Sequence, residues 1–125
     1  MQRTICVDNR ITPKTVIEIH NALRLLGLRG SSKGTTLINK AIQIIIKNNY
    51  EYVVIKDVYR EISKEINNAN IEQIRVAIKY ALDNRNESKS IKNFEKFFGY
   101  EYDEEMFTNK NFIEELSRVI TNNVS

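Results

Sequence analysis

The sequence predicts an all-α fold: one domain of six helices, with a short arm or strand ahead of it over residues 1–11. Three observations carry that prediction. Apolar residues recur at spacings of three and four in segment after segment, the period of a helix with one buried face. Residues that start and stop helices, Thr12-Pro13, Gly27, Asn70 and Gly99, fall between those segments. Only the stretch from Met1 to Ile11, with Ile5 and Val7 apolar, alternates as a strand would, and it does so weakly.

The first helix follows from Thr12, which offers an N-cap oxygen, and from Pro13 at the first helical position, where a missing N–H costs nothing. Val16, Ile19, Leu23 and Leu26 then make one apolar stripe, and Gly27 supplies the stop. The loop Gly27 to Gly34 holds three of the four glycines together with Lys33. No strand precedes it and no Gly-Lys-Ser/Thr order follows, so it reads as a connector and not as a phosphate-cradling loop. Thr35 to Asn48 is the most apolar segment, with Leu37, Ile38, Ala41, Ile42, Ile44, Ile45 and Ile46 around most of its circumference. That pattern predicts a central helix buried on several sides. Its β-branched residues lower helix propensity, so a strand at Ile42 to Ile46 is the competing reading, which the spacing disfavours. Tyr50 to Val53 connects it to the next pair of helices. Further on, Ser90 to Phe98 reads as a short helix with Ser90 as N-cap and Gly99 as stop, followed by a solvated acidic loop from Tyr100 to Thr108. Asn109 then caps a last helix that turns Phe112, Ile113, Leu116 and Ile120 inward.

Between these lies the most informative stretch, Val54 to Arg85. One helix presents Ile55, Val58, Tyr59, Ile62 and Ile66 on a face, and the next presents Ile71, Ile74, Ala77, Ile78, Ala81 and Leu82. Asn67-Asn68-Ala69-Asn70 joins them. Asn tolerates the left-handed conformation that a sharp turn needs, and Asn70 can cap the second helix, with Gln73 reaching back. Ser63 is small where the helices cross, and Ala77 and Ala81 allow close packing. This is the outline of a helix-turn-helix, whose second helix enters the DNA major groove. The base-reading candidates are Glu72, Gln73, Arg75, Val76 and Lys79: Gln suits adenine, Arg or Lys guanine, and Val a thymine methyl. Backbone-binding candidates are Lys56, Arg60, Lys64, Asn70, Tyr80, Arg85 and Lys89. The plain alternative for this stretch is a pair of amphipathic helices in any small bundle.

Bulk properties narrow the classes. A 125-residue chain, 42% hydrophobic and 28% charged, fits one soluble domain, and no apolar run approaches the roughly 20 residues of a membrane span. The single Cys6 and the absence of a secretory pattern point to the cytoplasm. The net charge of +3 is modest, but it is unevenly placed. From Phe97 onward six acids face two bases, and the preceding residues hold 17 of the 19 bases with 10 of the 16 acids. A basic body suits a phosphate-binding surface. An enzyme is not expected: His20 is the only histidine, nothing pairs it with Cys6, and no cofactor or metal motif is present. The acidic cluster Glu101, Asp103, Glu104, Glu105 lacks the glycine and spacing of a calcium loop.

From about Thr12 to Ile120 the chain also resembles a known family, the C-terminal DNA-binding effector domain of the master sporulation response regulator of endospore-forming bacteria. The resemblance is carried by five ordered pieces. They are Lys33-Gly34 followed by Leu37 and Ala41-Ile42; Tyr59, Ile62, Lys64 and Asn67; Ile74, Ala77, Ile78 and Ala81; Phe98-Gly99-Tyr100; and Asn109 with Phe112-Ile113. It implies a six-helix fold, double-stranded DNA as partner, transcriptional control, and occupation of repeated sites as head-to-tail neighbours on DNA. In the family the recognition helix reads S-R-V-E-R-A-I-R-H-A. Here the same positions are Glu72 to Ala81, so the family's Glu-Arg pair becomes Arg75-Val76 and its second Arg becomes Lys79. The core is kept and the reading face is changed, which predicts a target different from the family's usual box. The dozen residues before Thr12 leave no room for a receiver domain, so a stand-alone domain over residues 12–122 is expected, with residues 1–11 as a candidate dimerisation arm. Two alternatives share the fold: a protein-interaction module that has lost DNA binding, and a plasmid or mobile-element protein acting in segregation or transfer.

Overall fold

Three bonds tie the end of the first helix to a later one, and they show how the domain is held together. The computed structural model of the chain describes residues 11–48 and 54–124. In it α1 runs Pro13–Leu25, begun by Thr12, whose Oγ1 accepts from the Thr15 amide at 3.2 Å. At its C-terminus Gly27 takes φ +99°. The Gly27 amide donates to Arg24 O and the Leu28 amide to Leu23 O, the two-bond closure of a Schellman motif with buried Leu28 over buried Leu23. The carbonyls left over are taken by a later helix. Leu25 O accepts from Asn93 Nδ2 (2.7 Å), Leu26 O from Ser90 Oγ (2.6 Å) and Gly27 O from the Asn86 amide (2.8 Å).

The central helix α2 spans Lys33–Lys47 and touches α1, α3, α4 and α6. Leu37, Ile38, Ala41, Ile42, Ile45 and Ile46 are all buried, so burial on several sides outweighs the β-branched propensity and the competing strand does not form. The helix starts two residues earlier than the sequence suggests because Gly34 belongs to its first turn. A Cβ there would lie 2.0 Å from the Ala77 carbonyl oxygen and 2.7 Å from the Ala81 Cβ. What reads as connector glycine is the point of closest approach between two helices.

Helix α3 covers Ile55–Glu65 and α4 covers Ile71–Asp83. Asn67 and Asn68 both sit at φ 59°, the left-handed turn that the sequence predicts. Ser63 closes the turn: its Oγ donates to Ala69 O at 2.6 Å and its carbonyl accepts from the Asn68 amide at 2.8 Å. Helix α5 runs Glu87–Phe98 and ends on Gly99 at φ 83°. Asn86 and not Ser90 is its N-cap; Ser90 is fully buried, bonded to α1 as above. The acidic segment after it is also not a solvated loop throughout. A 3₁₀ turn, Glu104–Phe107, buries Met106 and Phe107 under an aromatic cluster with Phe94, Tyr102 and Phe112.

Helix α6, Asn109–Val124, buries Phe112, Ile113, Leu116 and Ile120 as predicted. Its cap lies one residue earlier than expected, because Thr108 O accepts from the Phe112 amide and Asn109 is already helical. The result is six α-helices and no strand among the described residues. Of the predicted arm only Ile11 is described, half-buried against the core; residues 1–10, with Cys6, lie outside the described residues.

Candidate nucleic-acid interface

Helix α4 packs mainly on α2, with Ile74, Ile78, Ala81 and Leu82 buried. Its start is fixed by Asn70, whose Oδ1 accepts from the Gln73 amide at 3.1 Å. Its middle is fixed by Asn109 of α6: Nδ2 donates to the Arg75 carbonyl and to the Tyr59 hydroxyl, both at 3.0 Å. Tyr59 is 3% exposed, and through it this contact links α3, α4 and α6 at the edge of the core. Sequence reasoning treats Asn109 as a cap and misses this role; its partners are far away in sequence.

All five base-reading candidates, Glu72, Gln73, Arg75, Val76 and Lys79, are exposed on α4. They do not form one face, however. Gln73, Val76 and Tyr80 share a shallow groove with Arg29 and Ser32 of the α1–α2 connection and with Lys33 at the start of α2. Arg75 and Lys79 share another with Lys56 of α3 and with Asn109 and Lys110 at the start of α6. Glu72 borders both grooves.

The charges on α4 are mutually engaged. Arg75 Nε donates to Glu72 Oε1 at 3.0 Å and Nη2 to Oε2 at 2.5 Å, while Lys79 Nζ donates to Asp83 Oδ2 at 2.9 Å. The Arg75 hydrogen bond holds the Glu72 carboxyl below its usual value, and the same bond raises Arg75. On α3, Arg60 pairs with Asp57 and Lys64 with Glu61. Exposed single-contact pairs such as Lys64–Glu61 and Lys79–Asp83 contribute little, so a phosphate can replace the carboxylate there at small cost, whereas the two-bond Glu72–Arg75 pair is held more firmly. Lys33, Lys56, Lys89 and Lys110 are exposed and have no acid partner among the described residues. Lys33 and Lys110 are cations beside α4 that sequence reasoning did not select; only the packing of both chain segments against α4 reveals them.

One backbone-binding candidate is corrected. The Arg85 side chain is 5% exposed. Its Nε donates to Ser90 Oγ, Nη1 to Leu82 O, and Nη2 to Tyr102 Oη and Glu104, and its guanidinium lies 3.8 Å over the Phe107 ring. Arg85 holds the α4–α5 junction to the 3₁₀ turn and is withdrawn from any phosphate surface. Asn70 commits its oxygen to the α4 cap, which leaves its amide nitrogen; Tyr80 is 63% exposed.

Elsewhere, His20 is exposed on α1, no three His, Cys, Asp or Glu side chains among the described residues converge on a metal position, and no described helix is long and apolar enough to cross a membrane. A family model described as sporulation initiation factor Spo0A C terminal matches residues 19–120 of the chain. The chain therefore belongs to that family, a DNA-binding domain of a sporulation regulator. No curated protein and no solved structure matches it.

Proposed function

We propose that this member of the Spo0A C-terminal family binds double-stranded DNA sequence-specifically and acts in transcriptional control, with α4 in the major groove. The observation that carries the reading is α4 itself: a helix clamped along its buried side, presenting Gln73, Arg75, Val76 and Lys79 outward between two grooves flanked by Lys33, Lys56 and Lys110. These are residue types that read base edges, flanked by cations suited to phosphates. Arg75 and Val76 stand where the family's reading pair is Glu-Arg, so the target differs from the family's usual box. Exchanging one bidentate base contact alters discrimination by about 1–3 kcal/mol, enough to change the preferred site.

A second reading has its own support. The α4 charges balance one another in pairs, which suits a protein surface as well as a DNA groove. Fluorescence anisotropy on a mixed-sequence duplex between about 50 and 200 mM salt separates the two. Three to five phosphate contacts give a log–log slope of roughly −2.7 to −4.5. Binding that is absent at the low-salt end contradicts DNA recognition and favours the interaction module. Selection from a random library then tests the target: recovery of the family's usual box contradicts the altered reading face.

A further inference from the structure

Glu72 is singled out by sequence as a base reader, yet both of its carboxylate oxygens are engaged by one arginine. The two bonds from Arg75, Nε to Oε1 and Nη2 to Oε2, occupy the side-on edge of the guanidinium. A guanidinium has five N–H groups in a rigid plane, so this leaves the end-on edge, Nη1 and the second Nη2 hydrogen, without a partner among the described residues. That edge is a two-donor fork, the complement of the O6 and N7 acceptors of guanine. The helix beneath is held as well, since the Arg75 carbonyl accepts from Asn109, which in turn is bonded to buried Tyr59.

We propose that Glu72 is a positioning residue, which fixes the guanidinium plane of Arg75 so that its free edge selects a guanine. The inference rests on the DNA reading above. It separates Arg75 from Lys79, whose ammonium makes a single contact with Asp83 and has no planar second edge. Glu72 also places a negative charge on the groove-facing side of α4, where it opposes phosphate. Its net effect is therefore to lower affinity for arbitrary duplex and raise discrimination for one base.

The test uses the full chain, the duplex recovered by selection, and versions of it in which each guanine in turn is replaced by an analogue with carbon in place of N7. In the wild type one replacement is expected to weaken binding by roughly tenfold to a hundredfold. Arg75→Ala should abolish that sensitivity. Glu72→Ala should reduce it severalfold while affinity for mixed-sequence duplex stays equal or rises, and Glu72→Asp should restore part of it. Both sites are exposed, so melting curves should coincide with wild type. Three outcomes overturn the proposal. A Glu72→Ala variant with the full analogue penalty shows that Arg75 needs no positioning, and one weakened equally on every duplex shows that Glu72 acts on affinity alone. Wild type that binds no duplex removes the DNA reading itself, and the positioning role with it.

Discussion

Helix α4 has two faces governed by different physics. The face toward α2 is governed by excluded volume. Gly34 meets the Ala77 carbonyl where a single methyl group does not fit, and Ile74, Ile78 and Leu82 fill the rest. The face toward solvent is governed by exposed charge pairs, Glu72 with Arg75 and Lys79 with Asp83. The first admits almost no substitution and defines the fold; the second can be rewritten residue by residue without disturbing the first. A family can therefore keep one scaffold and change what it reads.

Substitutions on the two faces should separate along that line, and the largest effect belongs to the buried one. Gly34→Ala is expected to lower unfolding stability by about 3 kcal/mol or more, because the obstruction is backbone and cannot swing aside; urea denaturation measures it. Arg85→Ala should cost about 2–3 kcal/mol by removing the ion pair, the bonds to Ser90 and Tyr102 and the contact over Phe107. Affinity of the folded protein for DNA should not change, which sets Arg85 apart from Arg75. Asn109→Ala should cost about 1–2 kcal/mol through loss of its bonds to Tyr59 and Arg75. It should also blunt base discrimination, because its Nδ2 holds the backbone carbonyl beneath Arg75. Asn68→Ala is expected to cost about 1 kcal/mol, since alanine lacks asparagine's tolerance of φ 59°.

The smallest effect is in acid. Hydrogen bonds from Tyr102 and then Arg85 hold the Glu104 carboxyl below its usual value. A carboxylate depressed on folding contributes stability at neutral pH and loses it as pH falls through its folded value. The pH dependence of urea stability should therefore be shallower in Glu104→Gln below the ordinary carboxylate range, and identical slopes would contradict the pairing.

Features that answer a local backbone demand were legible in the sequence. Thr12-Pro13 starts a helix, Asn67-Asn68 adopts the left-handed turn, and Gly99 stops α5, each settled by the residue's own conformational range. The burial of α2 was legible from the density of its apolar residues. What escaped was chemistry whose partners are distant in sequence. Arg85 looks like a surface cation until Tyr102 and Glu104 fold over it, and Ser90 looks like a cap until it meets Leu26. Met106 and Phe107 are hidden among acids; Phe107 is buried against Phe94, Tyr102 and Phe112, and Met106 joins the same core. The candidate site was legible as a set of residues on one helix. Its division into two grooves, with Glu72 between them, depends on which segments flank α4, and spacing within α4 carries no information about that.

The central claim is that the exposed face of α4 is the surface that meets DNA. Its most direct test is heteronuclear NMR of the full chain titrated with a mixed-sequence duplex at about 50 mM salt, the regime in which phosphate contacts are strongest. The expected result is amide shifts concentrated at Glu72, Gln73, Val76, Lys79 and Tyr80, with Lys33 and Lys56 beside them, and little change along α5. Shifts confined to α1 and α5 with α4 unmoved, or no shifts at all, would contradict it.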